Sequence, residues 1–529
     1  MKVLLSDPLA KEGMDILKKN GIKVVEAVGL TDNELARKIK GFDGIIIRSG
    51  TTVTRKIINA SDKLKVIGRA GVGLDNVDVA AASQKGIIVM NAPSGNTVST
   101  AEHAFSLMLA LSRNIPQAHA SIKSGVWDRK KFMGVELYGK TLGIIGMGRI
   151  GSEFSKRALS FGMKVVAFDP FLTAEKAKSL SVEPVSMNEL LSAADFITIH
   201  TPLTEETRHL IDEKAFKKMK KGVRIINAAR GGIIDEKALA RYLRNGKVAG
   251  AALDVFETPS KPPVDSPVIN SERIVATPHL GAATKEAQIS VAVDMARAVS
   301  DALLGKGYRN AANMPGIESE AMETLRPYIN LAERLGSIQG QLIENTIKGI
   351  TINYIGEVAK GDVSPITRAL LKGVFEPTMR GDVNYVNSAL IAEERGIKVS
   401  EKKTRKITDF ANLISVEFVA AGKKRFIMGT LFSNNEPRII KIDKFYVEAV
   451  PDGYMLVVSN DDVPGVVGKI GTILGKHGVN IAEMSFGRDK RTGQAISLLN
   501  VDSEIPGQTL KKLSKAGNIK KVKQIFVKP

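Results

Sequence analysis

Residues 141–151 carry a short apolar run directly into Gly146-Met147-Gly148-Arg149-Ile150-Gly151 and then into a helical pattern. A turn of this kind handles phosphate through its backbone. Gly146 allows the tight turn, Gly148 lets a pyrophosphate approach the main chain, and Gly151 lets the helix close on the strand. The helix start, at Arg149 and Ile150, adds free N–H groups and partial positive charge. Asp169, at the end of the next apolar run, is placed to accept from ribose hydroxyls and to repel a 2′-phosphate. Pro170 follows it, not an arginine. The glycines alone would also suit an ordinary loop; strand, helix and acid together point to a dinucleotide, NAD rather than NADP.

Three later apolar runs end in ionisable residues, where ligands of open α/β sheets bind. Arg230 precedes two glycines, and its planar fork suits a carboxylate and the oxygen beside it. Asp254 and Glu257 close a second run, and His279 follows a third. Singly, each is equally an ion pair, a loop acid or a packed histidine. Together, downstream of a dinucleotide turn, they are what hydride transfer from an α-hydroxy acid requires. His279 would take the hydroxyl proton, Glu257 would hold the imidazole, and Arg230 would fix the carboxylate. The other histidines fall on a helix (His103), just after it (His119), near a strand–loop junction (His200, His209) or in the tail (His477).

The elements that must position these groups follow from the apolar pattern. The chain has 529 residues, 43% hydrophobic and 25% charged, enough for three or four domains. Apolar runs at 3–5, 23–25, 45–47, 66–67 and 87–90 alternate with amphipathic segments, as in a doubly wound parallel sheet, ahead of an apolar helix at about 98–111. A second series (142–145, 164–168, 196–199, 224–227, 249–255, 274–277) carries the glycine turn, and an amphipathic helix at 285–304 is expected to return the chain to the first domain. From 316, helical patterns at 319–347 precede β-rich runs at 350–355, 425–431 and 439–445. Residues 451–529 read strand, helix, strand, strand, helix, strand, a ferredoxin-like βαββαβ order.

Composition narrows the chemistry. The net charge of +20 favours anionic ligands without naming one. With no cysteine, disulfides, Cys-ligated zinc, iron–sulfur clusters and thiol catalysis are excluded; no metal site is read, and the cytoplasm is the expected compartment. Asp7 and Pro8 interrupt the N-terminal apolar run too early for a signal peptide, and no run reaches the roughly 20 residues of a membrane span.

On these residues the chain resembles the NAD-dependent D-isomer-specific 2-hydroxyacid dehydrogenases. The likeness covers about residues 1–315 and rests on 146–151, 227–235, 253–256 and 278–283. Narrower matches at 48–51, 68–78 and 127–134 resemble the long-form branch that acts on 3-phosphoglycerate. The resemblance implies two flavodoxin/Rossmann-like doubly wound domains: a substrate-binding domain (1–97 and 285–315) and an NAD-binding domain (98–284). An α+β intervening domain (316–450) and an ACT regulatory domain (451–529) follow. It implies oxidation of 3-phospho-D-glycerate to 3-phosphooxypyruvate, the first step of L-serine biosynthesis. Carried over residue by residue, it puts cofactor contacts at Val72, Arg149, Ile150, Asp169, Thr201, Ala228, Ala229, Arg230, Asp254, His279, Gly281 and Ala282. Substrate contacts fall at Arg48, Arg69 and Arg129, the last from a neighbouring subunit, and catalysis at Arg230, Glu257 and His279. One departure stands out. The family sets its glutamate shortly after Asp-Val-Phe and immediately before a proline; here Pro259 or Lys261 holds that place, leaving Glu257 as the nearby acid.

In the tail, 461–468 and 477–481 resemble the ACT domain, which implies a small amino acid, L-serine, gripped across a domain dimer by Asn460, Asp462 and Asn480. The alternative is a tail that only assembles subunits. Dimers through the cofactor domains and again through the tails would make a homotetramer. Two rival functions stay open. A glyoxylate or hydroxypyruvate reductase would have no use for Arg48, Arg69 and Arg129 together or for an ACT tail. A non-enzymatic NAD-sensing regulator on the same fold is allowed by the displaced glutamate. Nucleic acid is not an expected partner, because no recognition motif accompanies the basic charge.

Overall fold

The computed structural model describes residues 1–258, 268–379, 383–405 and 410–528. Pro259 and Lys261 lie outside the described residues.

The first sheet is parallel: β1 (Lys2–Leu5), β2 (Lys23–Glu26), β3 (Gly44–Ile47), β4 (Val66–Arg69) and β5 (Ile88–Asn91), ordered β2-β1-β3-β4-β5. Val3, Leu4, Leu5, Ile45, Ile46 and Ile47 are all buried, because helices cover both faces. That double burial is why the strands read as unbroken apolar runs. The helix Lys285–Leu303 packs Val291, Met295 and Val299 on one face, against Val3, Leu5, Ile46 and Val66. It lies so close that a Cβ at Gly68 would stand 2.5 Å from Met295 Sδ.

The second sheet holds β6 (Thr141–Ile145), β7 (Lys164–Phe168), β8 (Glu183–Pro184), β9 (Phe196–Ile199), β10 (Val223–Asn227), β11 (Val248–Leu253) and β12 (Ile274–Ala276). Its order is β12-β11-β10-β9-β6-β7-β8, again parallel. Strand order reverses between β6 and β9, and the crevice beyond their C-terminal ends is where such sheets take ligands. The helix Thr97–Ser112, which leads from the first sheet to the second, packs Ala104, Phe105, Met108 and Leu111 on Leu142, Ile144 and Ile226.

The third sheet is mixed: β13 (Ile347–Gly356), β14 (Lys398–Thr404), β15 (Asn412–Ala420), β16 (Lys423–Phe432), β17 (Glu436–Ile442) and β18 (Phe445–Ala449), ordered β14-β13-β15-β16-β17-β18. Only β13 and β14 pair in parallel. The β-rich runs expected from the sequence include neither β14 nor β15, although β15 (NLISVEFVA) is apolar and largely buried. β14 is an exposed edge strand rich in lysine, so it lacks the apolar pattern that marks a strand. The helices Ser319–Leu342 and Ser364–Met379 cross at glycine contacts: a Cβ at Gly336 would overlap Leu370 O, and one at Gly373 would overlap Glu333 O.

The tail forms β19 (Gly453–Asp461), β20 (Ile481–Asp489), β21 (Gln494–Val501) and β22 (Ile519–Val527), antiparallel in the order β20-β21-β19-β22, with two helices on one face. This is the expected ferredoxin-like arrangement. Its other face shares a core with the third sheet: Met455, Val457, Leu498 and Ile525 join Leu331, Leu335 and Ile338 in one apolar cluster. The Gln341 amide caps the β22 edge, donating to Phe526 O at 2.8 Å and accepting from Phe526 N at 3.0 Å.

Among the described residues no helix is long and apolar enough to cross a membrane, and no group of three or more His, Asp or Glu is placed to hold a metal ion. The helix crossing gives a direct test. Gly373→Val should destabilise by about 3 kcal/mol or more, because backbone at a helix contact cannot yield as a side chain can. Calorimetry should show a lower transition for the C-terminal half, with NADH binding by the N-terminal half retained.

Candidate active site

The dinucleotide turn has the geometry its spacing implies. Gly146 adopts φ +95°, and a Cβ there would stand 2.7 Å from His200 O. A Cβ at Gly151 would overlap Gly146 O, so strand and helix meet at van der Waals distance. Gly148 caps the helix Arg149–Ser160 and faces open space, the one glycine of the three with room for an incoming group. Thr201, after β9, keeps a buried Oγ1 without a hydrogen-bond partner. An exposed backbone at a helix N-terminus, flanked by an unsatisfied hydroxyl, fits a pyrophosphate. Asp169 folds over the turn, accepting from Met147 N and Phe171 N at 2.7 Å each. Arg149 is exposed and reaches Pro93 O at 3.3 Å, while Ile150, Ala229 and Ala282 are half-buried and Ala228 and Gly281 are buried.

Arginines from both sheets meet across the cleft. Arg48 follows β3, Arg69 ends β4 and Arg230 follows β10. Asp7 secures the first, accepting from Arg48 N at 2.6 Å and Thr51 N at 3.1 Å. The Arg48 and Arg69 Nε atoms are buried without a hydrogen-bond partner. Arg230 Nε pairs with Asp75 at 3.2 Å, bridging the two domains. The loop Gly71-Val72-Gly73 runs between guanidiniums: a Cβ at Gly71 would overlap Arg69 Nη1, and one at Gly73 would overlap Arg230 Nη2. Burial, then Arg230, and less strongly Arg48, hold Arg69 below its ordinary pKa, with Asp75 and Asp7 opposing. Buried donors without partners and mutually repelling cations are a site for a multiply charged anion.

His279 sits in a turn at φ +59° that Asp254 anchors. The Asp254 carboxylate accepts from Thr277 Oγ1 (2.6 Å), Leu280 N (2.7 Å) and Gly281 N (2.9 Å), and meets His103 Nε2 at 3.1 Å. Burial alone would raise its pKa, but the bonds from His103, Thr277 and Leu280 hold it low. His279 is accessible to a ligand. The protein packed beside it, with Arg230 and Arg69, lowers its pKa, while Asp254 and Asp75 pull the other way. The result is a neutral imidazole at pH 7, free to accept a proton.

Glu257 is elsewhere. It pairs with His209 at 3.3 Å, and the Glu257 and Glu236 carboxylates each accept from the other residue's backbone N–H; burial raises the Glu236 pKa against the bond from Glu257. The segment packs directly on the glycine after Arg230: Phe256 O occupies the space of a Cβ at Gly231, with Glu257 N at 3.0 Å. His279 has no carboxylate within ion-pair distance among the described residues. Sequence reasoning missed Asp7, Asp75 and His103. His103 reads as one more polar residue on an apolar helix, and only packing of that helix beside β11 and β12 gives it Asp254.

Arg129 lies in an exposed loop and is joined to none of the other candidates. In the tail, Asn460 Nδ2 donates to Asp461 O while its Oδ1 is buried without a partner, Asp462 is held by Arg488 at 2.8 Å, and Asn480 donates to Asp502 at 2.7 Å. These three do not touch one another.

A dinucleotide cradle facing clustered arginines and an unprotonated histidine is the equipment of a 2-hydroxyacid dehydrogenase. Residues 105–281 match the D-isomer specific 2-hydroxyacid dehydrogenase NAD binding domain, 324–443 the D-3-phosphoglycerate dehydrogenase intervening domain, and 454–518 the ACT domain. The chain is 45% identical over 523 residues to a D-3-phosphoglycerate dehydrogenase of Methanocaldococcus jannaschii, with 99% of each chain covered. It is 44% identical to that of Archaeoglobus fulgidus, with 98% of each covered. Among solved structures it resembles the D-lactate dehydrogenase of Aquifex aeolicus complexed with NAD and lactic acid, at 28% identity and a TM-score of 0.51, over 58% of this chain and 96% of that one. The chain belongs to the D-3-phosphoglycerate dehydrogenase family.

Gly148 tests the cradle without disturbing the fold. Because a Cβ there meets nothing, Gly148→Val should melt within about 2 °C of the parent, yet it crowds the phosphate approach and should weaken NADH binding more than about tenfold, read by NADH fluorescence.

Proposed function

We propose that the chain oxidises 3-phospho-D-glycerate to 3-phosphooxypyruvate with NAD, opening L-serine biosynthesis in the cytoplasm. The observation that carries this reading is the arginine cluster. The substrate brings a carboxylate and, at its far end, a phosphate of about −1.5 to −2 charge. Arg48, Arg69 and Arg230 offer matching charge, two of them with unsatisfied buried donors. A glyoxylate-sized substrate would leave part of that charge unmet.

Arg230 binds the carboxylate and the neighbouring oxygen through its fork, which presents C2 and its hydroxyl to His279. Neutral His279 takes the hydroxyl proton, and Asp254 and Asp75 stabilise the imidazolium that forms. Gly146, Gly148, Thr201 and Asp169 would hold the dinucleotide, which would supply the hydride acceptor for C2. Arg48 and Arg69 take the phosphate, joined by Arg129 of a second subunit in the assembled enzyme.

Assembly through the NAD-binding domain is part of the same reading. Ile115, Ile122, Trp127, Met133 and Tyr138 are exposed on and after the helix Ile115–Lys123, with Trp127 79% exposed. A second contact through the tails would complete a tetramer, with L-serine at Asn460, Asp462 and Asn480.

NADH formation from 3-phosphoglycerate, with the product trapped, is the direct test. Inorganic phosphate should compete with 3-phosphoglycerate and not with NAD, and Arg69→Gln should raise KM for the substrate by about tenfold or more. Millimolar L-serine should slow turnover; indifference to it would leave the tail an assembly module. The pH profile checks the base. Oxidation needs neutral His279, whose pKa lies below 6.5, so the rate should hold at pH 7 and fall only as pH drops through that lowered value. Asp254→Asn removes an upward pull and should shift the acid limb lower, whereas Glu257→Gln should leave it in place. Trp127 is the single tryptophan of the chain, so its emission should shift to the red on dilution if this face is an interface.

A further inference from the structure

The appended domains reach the cleft arginines through one edge strand. The segment after the helix Lys285–Leu303 lies along β5. Met90 bridges Ala311 in antiparallel fashion, Ala312 N donates to Val89 O at 2.7 Å, and Asn91 N donates to Asn310 O at 3.3 Å. Asn313 fastens the same stretch, accepting from Val89 N at 3.0 Å and donating to Ile87 O at 2.9 Å and Ser83 Oγ at 3.0 Å. From the intervening domain, Asn384 donates to Gly86 O at 2.8 Å. The segment beside it is gripped by Arg368 through Tyr385 O (3.0 Å) and Val386 O (2.7 Å). The linker therefore holds the edge of β5, and the intervening domain holds Gly86 just ahead of its start.

The far end of β5 holds the substrate loop. Asn91 Nδ2 donates to Val72 O at 2.6 Å, and Ala92 N donates to Gly71 O at 2.8 Å. That loop is the one threaded between Arg69 and Arg230 with no space for a Cβ at Gly71 or Gly73. β5 is four residues long, about 13 Å, so grip and loop lie one short, stiff element apart. Sheet pairing uses only the backbone of Asn91. Its side chain makes a separate bond to a neighbouring loop, which constrains where the arginines stand.

We propose that Asn91 is a positioning residue that sets the Gly71-Val72-Gly73 loop between Arg69 and Arg230, and that β5 carries displacements of the linker and the intervening domain to those arginines through it. The dinucleotide turn belongs to β6 of the other sheet, so the effect falls mainly on substrate and reaches the cofactor only through Val72. The kinetic reading rests on the substrate proposed above; the loop mobility does not.

The test uses the full chain with Asn91→Ala, Asn313→Ala and the double variant. Amide hydrogen exchange across residues 70–76 should quicken about tenfold in each single variant, the loss of one hydrogen bond's constraint. KM for 3-phosphoglycerate should rise about tenfold, well beyond any change in KM for NAD, with kcat within about twofold, and the double variant should be no worse than Asn91→Ala, because both act through one path. Unchanged exchange in Asn91→Ala would overturn the positioning role. Faster exchange in Asn91→Ala but not in Asn313→Ala, or additive effects in the double variant, would overturn the relay. A general loss of kcat with unaltered KM would mark a merely structural defect and also overturn it. Absence of turnover in the parent enzyme would count against the proposed reaction, while the exchange measurement would still decide the role of Asn91.

Discussion

Like charges gathered in a partly buried cleft repel, and the N-terminal half of this protein is organised around bearing that cost. Arg48, Arg69 and Arg230 come from three strand ends on two sheets, and Arg69 is depressed by burial and by its cationic neighbours. Two acids moderate the field, one at each end. Asp7 is spent on backbone N–H groups and fixes where Arg48 leaves β3. Asp75 pairs with Arg230 but is itself 67% exposed, so it can yield to an incoming anion. A cleft left short of negative charge binds a polyanion by relieving its own repulsion, which is why unsatisfied guanidinium donors are better evidence of substrate than any single ion pair.

The proton acceptor obeys the same field. Burial and then the cations beside His279 keep it neutral, and a neutral base is what oxidation needs. Its turn is held in a left-handed conformation that costs a non-glycine residue of order 1 kcal/mol or more. Asp254 offsets this with bonds to Thr277, Leu280 and Gly281. A buried carboxylate engaged by backbone and hydroxyl donors is rigid, and it fixes the turn that carries His279. Glu257, three residues on, is committed instead to His209 and Glu236 behind the Arg230 loop.

The C-terminal half is continuous with this machinery. The tail sheet shares one apolar cluster with the helix Ser319–Leu342, and the Gln341 amide pairs with the backbone of Phe526 on the edge strand β22. Tail and intervening domain thus share one core, and the intervening domain touches the first sheet at Gly86, beside the linker that lies along β5.

What the sequence determined by itself is local. The roles of Gly146, Gly148 and Gly151 follow from steric rules acting over six residues, so their spacing declared them once the strand before, the helix after and Asp169 were read with it. Arg230, Asp254 and His279 were legible as a set because parallel strands all end on one side, and residues that follow them must converge. The four-strand order of the tail was legible for a similar reason, since alternating patterns and turn residues specify it segment by segment. Tertiary structure decided the partners. Nothing near Glu257 foretells His209, nothing near His103 foretells Asp254, and nothing near Asn91 foretells the loop at Val72. β14 stayed unread because an edge strand needs no apolar face, and the shared core of tail and intervening domain because each half of it resembles an ordinary buried surface. Backbone sterics act between neighbours and can be read along a chain; burial and hydrogen bonding are satisfied between residues far apart, and only the packed molecule says which ones meet.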